Sequence, residues 1–147
     1  MTADEVLSRV IRVGFDAAPI IYYVEGNVDF EPRCTPFFHA IGRGRIEGFT
    51  SSISLPETLV HPFRMGDAAR ETAFRDLLLD TEGMTTRVVS IDIAEVAAWL
   101  RATYNLRTPD AVQVATALHS GCDIFLTNDD KLKRVQEIEV VVVSELT

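Results

Sequence analysis

Thr108-Pro109-Asp110-Ala111-Val112-Gln113-Val114-Ala115-Thr116-Ala117-Leu118-His119-Ser120-Gly121 is the stretch on which the fold turns. It opens with a hydroxyl, a proline and an acid in the order of an N-cap and the first two helical positions, and Gly121 ends it. The spacing therefore predicts a helix from Thr108 to about Ser120. Ala111, Val112, Val114, Ala115, Ala117 and Leu118 make this helix apolar nearly all round, which marks a buried helix rather than a surface one.

Elements alternate on either side of it. Upstream, Ile11–Asp16 is predicted as a strand, 18–25 as a helix closed by Gly26-Asn27, 34–41 as a second short helix ended by Gly42, and 47–51 as a strand. Ser54–His61 is expected to be a helix stopped by Pro62. Asp67–Asp80 reads as a helix, with Ala73/Leu77 and Phe74/Leu78 forming an apolar stripe and Glu71/Arg75 pairing on the wet side. The β-branched run Arg87–Ile91 is predicted as a strand, and 94–104 as a helix carrying Val96, Leu100 and Tyr104 on one face. Downstream come a strand at 124–126, a helical turn at 130–135 and a last strand at 139–143. Strands separated by helices imply an α/β fold, a parallel sheet of four or five strands covered on both faces.

At 147 residues the chain is expected to form a single domain, residues 1–147, with a core large enough to need neither disulfide nor structural metal. No apolar run reaches the roughly 18 residues of a membrane span, and the N-terminus lacks the basic and apolar regions of a signal peptide. A cytoplasmic location without membrane attachment is the expectation. Cys34 and Cys122 have no CxxC partner and no His at ligand spacing, so they read as buried reduced thiols, and zinc is not expected. The formal net charge of −8 disfavours nonspecific attraction to nucleic acid. It does not oppose a nucleic-acid enzyme whose acids gather around a bound cation, which would change the sign of the local field.

Four acids stand at equivalent places. Asp16 ends the first strand, Glu57 lies in the first turn of the helix after the second, Asp110 opens the apolar helix, and Asp129 follows the fourth strand in Leu126-Thr127-Asn128-Asp129. Functional groups of open parallel sheets collect outside the carboxyl ends of the strands, so the four are placed to share one cleft. Each also has a plainer explanation. Asp16 can cap the helix after it, Ser54-Leu55-Pro56-Glu57 matches a capping box, Asp110 favours the helix dipole, and Asp129 can form an Asx turn or a cap. Convergence of all four is not something that capping requires. Carboxylates without His or Cys suit hard divalent cations, and clustered carboxylates repel one another, which raises some of their pKa values.

Phe15-Asp16 with Ala18-Pro19-Ile20-Ile21-Tyr22, Pro56-Glu57-Thr58-Leu59, Thr108-Pro109-Asp110-Ala111 with Ala115-Thr116-Ala117, and Phe125-Leu126-Thr127-Asn128-Asp129 together resemble a PIN domain. The likeness is greatest to the VapC-type ribonucleases of bacterial toxin–antitoxin modules and runs over about residues 10–145. It implies a three-layer α/β/α sandwich with a central parallel sheet, and a metal-dependent endoribonuclease. It further implies that Asp16, Glu57, Asp110 and Asp129 hold Mg2+ or Mn2+, with Thr127 and Asn128 lining the same pocket. An RNA substrate, a homodimer and a small antitoxin that blocks the cleft are the implied partners. Where the family usually carries Thr or Ser after the first Asp, this chain has Ala17, and the missing hydroxyl implies weaker metal or phosphate positioning. The alternative is a degenerate PIN module that binds RNA or protein without cleaving.

His39, His61 and His119 share no spacing with the acids and are not expected to be catalytic. Lys131, Lys133 and Arg134 follow Asp129 either as a solvated face or as a basic patch for an RNA backbone. Tyr22, Tyr23, Phe37 and Phe38 are either core and interface residues or base-stacking platforms, and the resemblance implies dimer and antitoxin contacts for these early helices. A phosphotransfer receiver is set aside, because it would carry an acidic pair after the first strand and a Lys after the last.

Overall fold

The computed structural model describes residues 1–147. The strands are β1 (Arg12–Phe15), β2 (Glu47–Ser51), β3 (Met84–Arg87), β4 (Ile124–Thr127) and β5 (Glu139–Val142), and the helices are α1 (Ala3–Leu7), α2 (Ala17–Glu25), α3 (Glu31–Gly42), α4 (Ser54–Met65), α5 (Ala68–Leu79), α6 (Ile91–Tyr104) and α7 (Thr108–His119). All strand pairs are parallel, in the order β3-β2-β1-β4-β5. The chain builds outward from β1 through β2 to β3, then crosses to the other side of β1 for β4 and β5. Its order therefore reverses between β1 and β4.

Two cores follow from strand alternation. Val13 and Phe15 of β1 and Ile124 and Leu126 of β4 face one side, where they pack with Ile20 of α2, Phe37 of α3, Leu59 of α4 and Phe74 and Leu78 of α5. Phe125 faces the other side and packs with α6 and α7 through Ile93, Ala97, Leu100, Ala111, Val114, Ala115 and Ala117. The result is the three-layer α/β/α sandwich around a parallel sheet. As its composition required, α7 is buried at every position from Ala111 to Ala117, Gln113 included. No helix is long and apolar enough to cross a membrane. Cys34 is buried, Cys122 is half-buried and both are free, with burial pushing each thiol up to about 12.

Several local expectations are corrected. The third strand is Met84–Arg87 rather than Arg87–Ile91. β2 stops at Ser51, opposite Arg87, and beyond Arg87 only the Val89 N–H reaches across, to Ser52 Oγ at 3.4 Å. Ser90 instead caps α6, its hydroxyl accepting from the Ile93 N–H at 3.2 Å, and Val88 and Ile91 are exposed. The buried face of α6 is Ile93, Ala97 and Leu100, with Val96 outside. Helix α4 passes Pro62 and ends at Gly66, whose φ of 63° is the left-handed stop. α1 was not expected, and Arg107 rather than Thr108 is the N-cap of α7. In α5 the apolar stripe narrows to Phe74, Leu78 and half-buried Leu77, with Ala73 exposed, while Arg75 and Glu71 pair at 3.6 Å.

Candidate active site

In an open parallel sheet the crevice lies outside the carboxyl ends of the strands where strand order reverses. Here that place is between β1 and β4, and a cavity of about 260 Å3 opens there. Asp16, Glu57, Asp110 and Asp129 all line it, together with Thr127, Asn128, Ala17 and Arg107. Four acids from four separate segments thus meet in one cleft.

Asp16 is the most constrained. Its own N–H donates to the Leu126 carbonyl at 2.9 Å, continuing the sheet pairing one residue past β1. One carboxylate oxygen accepts from the Ala17 N–H at 2.9 Å and the other from the Thr127 hydroxyl at 2.7 Å. Asp16 is therefore the N-cap of α2 as well as a cleft residue. Thr127 is fully buried and accepts in turn from the Asp129 N–H at 3.1 Å, so one hydroxyl fixes two of the acids. Burial raises the Asp16 carboxyl above its ordinary 3.8, and Asp110 and Asp129 add repulsion. The Thr127 hydroxyl and Ala17 N–H oppose that rise. Glu57, at the exposed rim, is also raised, by burial first and then by Asp16 and Asp110.

The plainer explanations divide. Asp16 caps, and Asp129 forms an Asx turn by accepting from the Lys131 N–H at 3.0 Å, yet both also face the cleft. The capping box at Ser54 is absent: Ile53 is the N-cap of α4, and the Ser54 hydroxyl points into the protein. Glu57 thus owes its place to no cap. Asn128 lines the cleft with its amide engaged at both ends, Nδ2 donating to the Tyr22 hydroxyl at 3.0 Å and Oδ1 accepting from the Ser144 N–H at 2.9 Å. Its chemistry is that of a brace between α2, β4 and the C-terminal segment.

The hard oxygen donors of the four acids suit Mg2+ or Mn2+ in kind. No three Asp, Glu, His or Cys side chains are gathered into a tight cage. Mg2+ is commonly held by one or two carboxylates and several waters, which needs no such cage.

Sequence reasoning missed Arg107. It is the only cation lining the cleft, highly exposed, with Nε 3.2 Å from Asp110 Oδ2, and its charge is favoured by Asp110, Asp129 and Glu57. Only its position just ahead of Thr108-Pro109-Asp110 could have drawn attention to it. The basic patch after Asp129 is largely engaged instead: Lys133 pairs with Glu145 at 2.8 Å and Arg134 donates to the Lys131 carbonyl. Phe37 and Phe38 are buried, and Tyr23 stacks on Phe38 at 4.3 Å, which makes these aromatics core rather than base platforms. The three histidines lie outside the cleft.

The family model described as PIN domain matches residues 15–138. No curated protein matches the sequence significantly. Among solved structures, VapBC2 from Rickettsia felis, bound to a promoter DNA fragment, is similar with a TM-score of 0.69 and 14% identity over 90% of this chain and 98% of that one. A toxin–antitoxin complex from Klebsiella pneumoniae is similar with a TM-score of 0.68 and 24% identity over 92% and 99%. VapC20 from Mycobacterium tuberculosis, a toxin that cleaves the sarcin–ricin loop, is similar with a TM-score of 0.62 and 17% identity over 77% and 86%. At these identities the likeness establishes a shared fold.

Proposed function

The chain belongs to the PIN domain family, and from that premise we propose that it is a metal-dependent endoribonuclease, the toxin of a toxin–antitoxin pair. One observation carries this function: four acids from separate segments converge on one cleft at the strand-order reversal, a convergence that capping does not require. Asp16, Glu57, Asp110 and Asp129 would hold Mg2+ or Mn2+. Bound there, the ion supplies charge stabilisation at a phosphodiester and a water more easily deprotonated than bulk water.

The chain's own residues do the rest. Thr127 and the Ala17 N–H hold both oxygens of Asp16, so the first acid is oriented before any ligand arrives. Arg107, exposed and paired with Asp110 at 3.2 Å, offers the one guanidinium in an otherwise acidic cleft. It is suited to bidentate contact with a phosphate of the RNA backbone. The toxin–antitoxin complexes among its structural relatives support a small antitoxin as partner, and the family resemblance adds a homodimer.

Ala17 favours a second role, RNA or protein binding without cleavage, because a hydroxyl there would be one more orienting group. The two hydrogen bonds already on Asp16 weigh against it.

Purified protein should cut RNA with Mg2+ or Mn2+ and stop on adding EDTA. A folded Asp16→Ala, Asp110→Ala double variant should be inactive. Undiminished cutting by that variant would overturn the assignment, and RNA binding without cutting by the wild type would favour the second role.

A further inference from the structure

Gln113 is a polar residue at the centre of the most buried helix and does not line the cleft. Its side chain is 2% exposed. Burying an amide is costly unless each end is paired, and here both are. Nε2 donates to Ser54 Oγ at 2.8 Å, while Oε1 accepts from Ser51 Oγ at 2.8 Å and from the Ser51 N–H at 3.3 Å. Ser54 Oγ lies 2.8 Å from Thr50 Oγ1, which donates to the Phe15 carbonyl at 2.9 Å. The protons can all run one way, from the Gln113 amide through Ser54 and Thr50 to the carbonyl that precedes Asp16. In such a chain each bond polarises the next. Ser51 Oγ also accepts from the Ile53 N–H at 3.2 Å, which holds the entry to α4.

The residues so joined are those that carry the cleft. Gln113 sits one helical turn after Asp110 on α7, Ser54 one turn before Glu57 on α4, and Phe15 immediately before Asp16 on β1. A Leu or Met would fill the same volume without polar cost. An apolar contact lets two helices slide by fractions of an ångström, whereas hydrogen bonds of fixed direction do not.

We infer that Gln113 is a positioning residue: its amide clamps α7, α4 and the end of β2 together and so sets the relative placement of Asp110, Glu57 and Asp16. The inference rests on the cation-binding function given above. Its effect belongs in the affinity for the ion, since ligands displaced by fractions of an ångström bind more weakly while the bound state still forms.

The test is calorimetric titration with Mn2+ beside thermal melting, on the full chain. Gln113→Met should fold, melt lower and bind Mn2+ about 10–100-fold more weakly, the range typical of groups that orient metal ligands. Its cleavage rate should approach wild type at saturating metal. Val114→Ala, in the same buried helix but outside the network, should melt lower and bind Mn2+ as the wild type does. If Gln113→Met binds Mn2+ as tightly as Val114→Ala, the amide is merely structural and the inference is overturned. Should Gln113→Met not fold, Ser51→Ala, which removes one donor to Oε1, is held to the same criterion with a smaller loss of affinity. Equal Mn2+ binding by wild type and Asp16→Ala would overturn the reading of the cleft itself, and the inference with it. Normal wild-type titration with an unaffected Gln113 variant would overturn the inference alone.

Discussion

Asp16 concentrates the conflict between folding and function in one side chain. Its carboxyl is raised above 3.8 by burial, with Asp110 and Asp129 adding to the rise, even though it accepts two hydrogen bonds. A carboxyl whose folded pKa exceeds its unfolded one costs stability when it ionises. The cost is absent below the ordinary value, where both states are protonated. It grows as pH rises toward the folded value and is constant above it. Asp16→Asn should therefore raise the melting temperature in EDTA at neutral pH, with the gain fading as pH falls to about 3.8. The variant should lose the stabilisation by Mg2+. A lower melting temperature than wild type in EDTA at pH 7 would show that the hydrogen bonds of the carboxylate outweigh its burial. Ala17 is best understood at this scale too, since its N–H and the Thr127 hydroxyl already occupy both oxygens that a hydroxyl at 17 would otherwise help to orient.

Among the elements, α7 has to lie close enough to β1 and β2 for its first turn to overhang the cleft, and small residues allow that. A Cβ on Gly14 would fall 2.6 Å from Ala117 Cβ and 3.3 Å from the Phe125 ring, both held within packed elements. Gly14→Ala should cost about 1–3 kcal/mol by overpacking, or a fall in melting temperature of about 2–12 °C for a chain of this size. Gly48→Ala meets mainly the flexible ends of Ile41 and Met84, at 2.7 Å each, and should cost less. Equal losses in thermal melts of the two variants would refute the distinction. Arg87–Ile91 is β-branched enough to read as a strand, whereas the third strand is Met84–Arg87. Pairing with β2 ends at Arg87, and the Ser90 cap then claims the remainder for α6. The capping box failed for a related reason: Ser54 bonds to Thr50 and Gln113, partners distant in sequence or on another element, in preference to its own helix.

For the whole molecule, the formal charge of −8 and the acidic cleft are one design seen at two ranges. An ion that binds only the folded state stabilises by about 2.7 kcal/mol at 100 times its dissociation constant. At roughly 2–4 °C per kcal/mol, that is a rise of about 5–11 °C in melting temperature. Mg2+ should produce it in the wild type, whereas KCl at matched ionic strength, which only screens the general charge, should not. Equal shifts with the two salts would mean that no specific site is filled.

Apart from α1, the sequence alone carried the order of elements, the parallel sheet, the burial of α7 and the four acids, three of them following a strand and Asp110 opening α7. Each of these is written in local periodicity or in the short-range chemistry of a turn. Tertiary structure decided that the acids share a single cleft and that Arg107 stands among them. It also decided that Asn128 is a brace and that a lone Gln in an apolar helix is bonded to two serines of a neighbouring layer. Several of those outcomes depend on hydrogen bonds between residues 59 to 111 positions apart. Which partner a buried polar group finds is set by how the layers dock, a quantity that no window of the sequence contains.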